Sequence, residues 1–195
     1  MTKRAFIIHG WDGSPEEGWF PWLKGELETR GFSVIIPAMP DPRHPVIEAW
    51  VSHIHSAVGT PDEQTFLIGH SIGAQAVIRY LQELEADQKI GGAIFVAGWV
   101  TLTPAAYEQE GDEKTAQPWL ETPINWEKVK SHAAHVTAIC SDDDPFVPRA
   151  DAEVFREQIG AEVIIEQGKG HFGGDDGITE LPSVRNAILK YAETR

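Results

Sequence analysis

Runs rich in apolar and β-branched residues recur along the chain and predict six strands. These strands cover 4–10, 32–37, 65–69, 92–98, 135–140 and 161–167. Between them the apolar residues recur at helical spacing, which predicts helices over 17–31, 46–58, 72–85, 149–160 and 181–195. In the first helix, Trp19, Leu23 and Leu27 fall on one face, and Gly31 follows as a stop.

The alternation of strands and helices predicts an α/β fold. The strands are apolar almost throughout, which indicates that helices cover both faces of a parallel sheet. Right-handed crossovers then give a three-layer, doubly wound sandwich with a mostly parallel six-stranded sheet. Functional loops in such a fold gather at the carboxyl ends of the strands. We expect residues 1–195 to form a single domain.

One segment interrupts this alternation. Residues 99–134 contain no clear strand, are acidic and dotted with proline, and carry Trp119 and Trp126. A loop of this length in a compact domain is usually functional. We predict a helical or irregular excursion at about 99–134 that lies over the strand ends.

The composition and the N-terminal pattern indicate which partners and which cellular compartment to expect. The formal net charge is -14, from 30 acidic and 16 basic residues, and this field repels phosphate backbones and anionic lipid headgroups. We therefore expect neither nucleic acid nor a membrane as partner. Cys140 is the single cysteine, so no internal disulfide can form. The N-terminal stretch lacks the pattern of a signal peptide, and we expect a cytoplasmic protein.

The junction of the third strand and the next helix carries candidate chemistry. Residues 69–73 read Gly-His-Ser-Ile-Gly, which fits G-x-S-x-G between a strand and a helix. In that context Ser71 is expected to have a strained backbone, with flanking glycines that leave room for the sharp turn. The Ile72 N–H would then face a negative oxygen at the helix start. The alternative is an ordinary turn with Ser71 as a helix cap.

A serine nucleophile needs a base, and the base needs an orienting acid. In an α/β-hydrolase the chain order is serine, acid, histidine, with the partners at later strand ends. The stretch SDDDPFVP follows the fifth strand, and GKGHFGG follows the sixth. We assign Asp144 as the acid, with Asp142 and Asp143 as rivals, and His171 as the base. The alternative for the three aspartates is a solvated acidic turn, and the alternative for His171 is an ordinary surface residue.

The loop after the first strand is the expected source of a second oxyanion donor. In HGWDGSPEEGWF the best candidate is the Trp11 N–H. The loop has no G-x-G-x-x-G pattern, which argues against nucleotide binding. Trp11, Trp99 and Trp119 lie near strand ends or on the excursion and are candidates to line a substrate site. The other four tryptophans and Cys140 are interpreted as core residues.

These segments together resemble the small YdeN-like serine hydrolases, which include retinoblastoma-binding protein 9. The resemblance rests on HGWDGSPEEGWFPWL, GHSIGA, SDDDPFVP and GKGHF and spans almost the whole chain. It implies a minimal α/β-hydrolase fold without the large lid of lipases. It also implies a triad of Ser71, Asp144 and His171, and hydrolysis of carboxylic esters or related acyl compounds.

The expected function is therefore that of a carboxylesterase-like serine hydrolase, acting on a small acyl-ester substrate through an acyl-enzyme on Ser71. This chemistry requires no metal or cofactor. Two other functions stay open. One is a catalytically weak protein-binding module on the same fold, because fold alone does not establish chemistry. The other is an acyltransferase or peptidase that uses the same triad.

Overall fold

The computed structural model describes residues 2–193, and its centre is a six-stranded sheet. The strands are β1 (Lys3–Ile8), β2 (Phe32–Ile35), β3 (Thr65–His70), β4 (Gly92–Val96), β5 (Val136–Ser141) and β6 (Glu162–Glu166). Their order in the sheet is β2-β1-β3-β4-β5-β6, and every pair is parallel. The predicted α/β sandwich is confirmed, with a sheet that is wholly rather than mostly parallel.

Seven α-helices accompany these strands within residues 2–193. They are α1 (Phe20–Glu28), α2 (Ile47–Val58), α3 (Ile72–Glu83), α4 (Asp112–Glu121), α5 (Trp126–His132), α6 (Asp151–Ile159) and α7 (Pro182–Glu193). The predicted helix 181–195 thus corresponds to α7, and its last two positions lie outside the described residues. Over the described residues, no helix combines the length and apolarity that crossing a bilayer requires.

Helices cover both faces of the sheet. The apolar residues of α1 and α7 form one core cluster with one sheet face, and those of α2, α3, α5 and α6 belong to a second. Trp19, Leu23 and Leu27 are buried in the first cluster, as their spacing predicts. The central strands β3, β4 and β5 are buried along their whole length, whereas β2 alternates and β6 is partly exposed. Burial on both faces therefore holds only where a strand has two neighbours.

Between β4 and β5 the chain forms a short 3-10 turn at Pro104–Ala106, followed by α4 and α5. Three polar side chains on one face of α3 bind the backbone of this segment. The contacts are Gln75 to the Trp99 carbonyl, Arg79 to the Trp119 and Thr122 carbonyls, and Gln82 to the Asn125 N–H. Residues 99–125 are therefore fastened to the same helix that follows Ser71.

Candidate active site

Ser71 lies in the sharp turn between β3 and α3. Its backbone angles are φ 54° and ψ -121°, in a region that residues with a side chain rarely adopt. Gly69 and Gly73 make this turn possible: an added Cβ would lie 2.5 Å from the Ala74 backbone at Gly69 and 2.3 Å from the Ile8 carbonyl oxygen at Gly73. The two glycines of the motif are thus required by close backbone approach.

Replacing Gly73 with alanine is expected to lower the free energy of unfolding by about 3 kcal/mol, because the new methyl group overlaps backbone that cannot move independently. Gly25 is the matched control, since it lies inside α1 and an added Cβ meets no atom within 4 Å. Gly25→Ala should raise stability by about 0.5–1 kcal/mol. Urea denaturation measures both, and equal effects would contradict the packing explanation.

Asp144 and His171 are in direct contact. Their Oδ2 and Nδ1 atoms are 2.9 Å apart, and the two side chains are only 3% and 15% exposed, respectively. The other carboxylate oxygen of Asp144 accepts the backbone N–H groups of Phe146 at 2.9 Å and Val147 at 3.1 Å. An ionised carboxylate only accepts, so Nδ1 carries the proton and Nε2 retains a lone pair. His171 is therefore held in the tautomer that can take a proton from a serine.

The neighbouring acids have a different task. Asp142 accepts the N–H of Gly168, and Asp143 accepts the Ser141 hydroxyl and the Gly170 N–H. The hydrogen bond from Ser141 is the largest cause that lowers the pKa of Asp143. Both acids thus fix the loop that carries His171 without contacting its ring.

His70 connects this loop to Ser71. Its Nε2–H donates to the His171 carbonyl over 2.8 Å, and its ring lies edge-on to Trp19 and Phe20. Burial, followed by the proximity of His171, lowers the pKa of His70 to about 3, so the ring is neutral. The Ser71 hydroxyl makes no hydrogen bond to His171 within residues 2–193. Catalytic hydrogen bonds are often long in the absence of substrate and tighten when it binds.

The loop after β1 passes beside Ser71. A Cβ atom added at Gly10 would lie only 3.5 Å from the Ser71 Cβ. His9 fixes this loop: its Nδ1–H donates to the Gly10 carbonyl, and its Nε2 accepts the Met39 N–H. Neither the Trp11 N–H nor the Ile72 N–H has a partner among the described residues. Both proposed oxyanion donors are therefore available for a ligand.

Two of the three tryptophans assigned to substrate binding are core residues instead. Trp99 and Trp119 are each 1% exposed. The Trp119 indole donates to the Pro45 carbonyl over 3.0 Å and packs edge-on against Trp50. Their assignment was wrong because a long excursion needs its own apolar anchors against the sheet. Trp11 is partly exposed beside the Ser71 loop and stays a candidate for substrate contact.

Two residues that contact His171 were not predicted. Asp176 accepts the backbone N–H groups of His171 at 3.0 Å and Gly173 at 2.9 Å. The Phe146 ring lies edge-on to the imidazole, with centroids 5.1 Å apart. The short GGDDG stretch signals a turn around Asp176, whereas nothing in the sequence indicates the Phe146 contact.

Reactive side chains outside this site include possible metal ligands and the single cysteine. Within residues 2–193, no three His, Cys, Asp or Glu side chains are grouped so that they could bind a metal ion. Cys140 is buried at the end of β5, and burial raises its pKa to about 12. The interpretation of Cys140 as a core residue agrees with this position.

Comparison with known proteins gives a consistent picture. The family described as serine hydrolase matches residues 5–190. The chain is 36% identical to YdeN of Bacillus subtilis (strain 168), with full coverage of both proteins. It is 29% identical to the serine hydrolase RBBP9 of Rattus norvegicus over 87% of each chain.

Solved structures agree with these sequence matches. The crystal structure of the ydeN gene product from B. subtilis matches with a TM-score of 0.89 and 33% identity, over 97% of this chain and 98% of that one. Est1E of Butyrivibrio proteoclasticus with ferulic acid bound has a TM-score of 0.74 at 17% identity, over 97% of this chain and 87% of that one. At that identity the second likeness is one of fold alone.

Proposed function

The chain belongs to the serine hydrolase family, and we propose that it hydrolyses carboxylic esters or related small acyl substrates through an acyl-enzyme on Ser71. The observation that carries this proposal is the 2.9 Å contact between His171 Nδ1 and the buried Asp144 carboxylate. Because the His171 carbonyl is bound by the residue next to Ser71, base and nucleophile share one site.

Acylation begins when His171 Nε2 takes the proton of the Ser71 hydroxyl as the oxygen attacks the acyl carbonyl. The carbonyl π electrons move onto its oxygen, and the Ile72 and Trp11 N–H groups bind the resulting oxyanion. The tetrahedral intermediate collapses, the bond to the leaving alkoxide breaks, and His171 returns the proton to it. Asp144 stabilises the imidazolium without accepting its proton.

Deacylation repeats these steps with water as the nucleophile. His171 takes a proton from water, the hydroxide attacks the acyl-enzyme, and Ser71 leaves with the proton that His171 carries. The products are a carboxylic acid and an alcohol. Each oxyanion donor contributes about 3 kcal/mol of transition-state stabilisation in comparable sites.

Purified protein should hydrolyse short p-nitrophenyl esters to the free acid, whereas the corresponding anilides should react much more slowly, because an amine is a poorer leaving group. Release of p-nitrophenolate gives the rate, and mass spectrometry identifies the acyl product. Ser71→Ala, measured in parallel, corrects for spontaneous hydrolysis. Ester turnover equal in both proteins would contradict the proposal.

The same experiment separates the other functions of this site. Added alcohols or amines divert the acyl group into new products if the protein is an acyltransferase, and peptide cleavage identifies a peptidase. A catalytically weak protein-binding module would show little or no turnover with any of these substrates. The cytoplasmic location and the absence of nucleic-acid and membrane partners stay predictions from composition.

A further inference from the structure

Thr103, in the segment that follows β4, contacts the turn that carries Asp144. Its hydroxyl donates to the Pro145 carbonyl over 2.6 Å, and its backbone N–H donates to the Phe146 carbonyl over 2.9 Å. Both acceptors lie in the turn immediately after Asp144. One residue of the excursion therefore binds two consecutive carbonyls beside the proposed catalytic acid.

These carbonyls belong to the same two peptide groups that orient the Asp144 carboxylate. The Pro145 carbonyl shares a planar peptide with the Phe146 N–H, and the Phe146 carbonyl shares one with the Val147 N–H. Both N–H groups donate to Asp144 Oδ1. Hydrogen bonds in such a chain polarise one another, so a donor at the carbonyl end strengthens the bond at the N–H end.

We propose that Thr103 is a positioning residue for the catalytic acid: it fixes both peptide groups that point Asp144 Oδ2 at His171. This inference rests on the proposed function, since it assigns Thr103 a part in the same triad. It makes the segment after β4 a support of the active site.

The position of Thr103 is itself fixed by a buried acid at the start of α6. Asp151, which is 3% exposed, accepts the N–H groups of Val100 and Thr101 and the Thr101 hydroxyl, each at 2.7 Å. Asp151 thus fixes the backbone just before Thr103, and Thr103 in turn binds the turn that carries Asp144.

The hydrogen bond between His171 and Asp144 reports on this positioning. Its proton lies between His171 Nδ1 and Asp144 Oδ2, which are 2.9 Å apart. Charge-assisted hydrogen bonds of this kind are short and strong, and they weaken when the carboxylate is less well oriented. The Nδ1–H proton resonance of His171 should therefore move upfield when Thr103 loses its hydroxyl.

The test compares Thr103→Val with Thr103→Ser and Thr115→Val. Valine keeps the shape but removes the donor, whereas serine keeps the donor. Thr115 is the matched control, because it lies in α4 of the same excursion and its hydroxyl donates to the Gly111 carbonyl rather than to the acid turn. Each protein is assayed for kcat and KM on a short p-nitrophenyl ester, and the His171 Nδ1–H resonance is recorded by proton NMR at a fixed pH.

Thr103→Val should lower kcat about 5- to 10-fold with KM nearly unchanged, which corresponds to the loss of one hydrogen bond. The His171 Nδ1–H resonance of this variant should move upfield. Thr103→Ser should behave as wild type, and Thr115→Val should keep the wild-type kcat and the wild-type resonance.

Equal kinetic losses in Thr103→Val and Thr115→Val, or an unmoved His171 Nδ1–H resonance in Thr103→Val, would overturn the positioning role. The NMR measurement does not depend on turnover. If wild type hydrolyses no ester, the proposed function fails, while the resonance still decides whether Thr103 acts on the Asp144–His171 pair.

Discussion

Replacing Ser71 with alanine is expected to reduce kcat/KM for a short ester by about 10⁴-fold or more, because the variant lacks the oxygen that forms the acyl-enzyme. The residual rate would come from binding and oxyanion stabilisation acting on direct attack by water. The turn should survive the change. Alanine has the same Cβ as serine, and no side chain in residues 2–193 loses a hydrogen bond with the Ser71 hydroxyl.

Thermal unfolding monitored by circular dichroism is the control for this variant. An unchanged transition with lost activity isolates the chemical role of Ser71. A folded Ser71→Ala protein that retains a tenth or more of the wild-type kcat/KM would rule out Ser71 as the nucleophile.

Replacing Asp144 with asparagine should reduce kcat about 10³- to 10⁴-fold, through the tautomer of His171. Two backbone N–H groups point at Asp144 Oδ1, so an asparagine must place its carbonyl oxygen there. Its NH₂ group then faces His171 Nδ1, which has to accept. The ring proton moves to Nε2, and the imidazole can no longer take the Ser71 proton.

Asp142→Asn is the matched control for this change. An amide oxygen can accept the Gly168 N–H as the carboxylate does, so kcat/KM should stay within about threefold of wild type. Steady-state kinetics on one ester measures both variants. A similar loss in the two would show that the charge of the SDDD stretch matters and not the contact of Asp144 with His171.

The fold was predictable because its signals are local and repeated. Each strand is a short apolar run, each helix has its own periodicity, and the elbow combines a motif with the required strand and helix. The chain order of Ser71, Asp144 and His171 followed from the strand ends on which they lie. The structure adds the reason for both glycines, since a Cβ at either position would overlap backbone.

Contacts between distant segments could not be read in the same way. Three consecutive acids follow β5, and only the three-dimensional turn shows that Asp144 meets the imidazole while Asp142 and Asp143 bind the loop backbone. Trp99 and Trp119 were misassigned because position near a strand end does not reveal which way a side chain points. The hydrogen bonds of Thr103 join residues more than 40 positions apart, and no spacing in the sequence predicts them.

The most direct measurement is covalent labelling of the purified protein with a fluorophosphonate probe, followed by mass spectrometry to locate the modified residue. Such probes phosphonylate a nucleophile that a neighbouring base activates, so labelling tests nucleophile and base together without knowledge of the substrate. The account predicts a single adduct on Ser71 in wild type, and none in Ser71→Ala or His171→Ala. A folded wild-type protein that takes no label, or takes it on another residue, would contradict it.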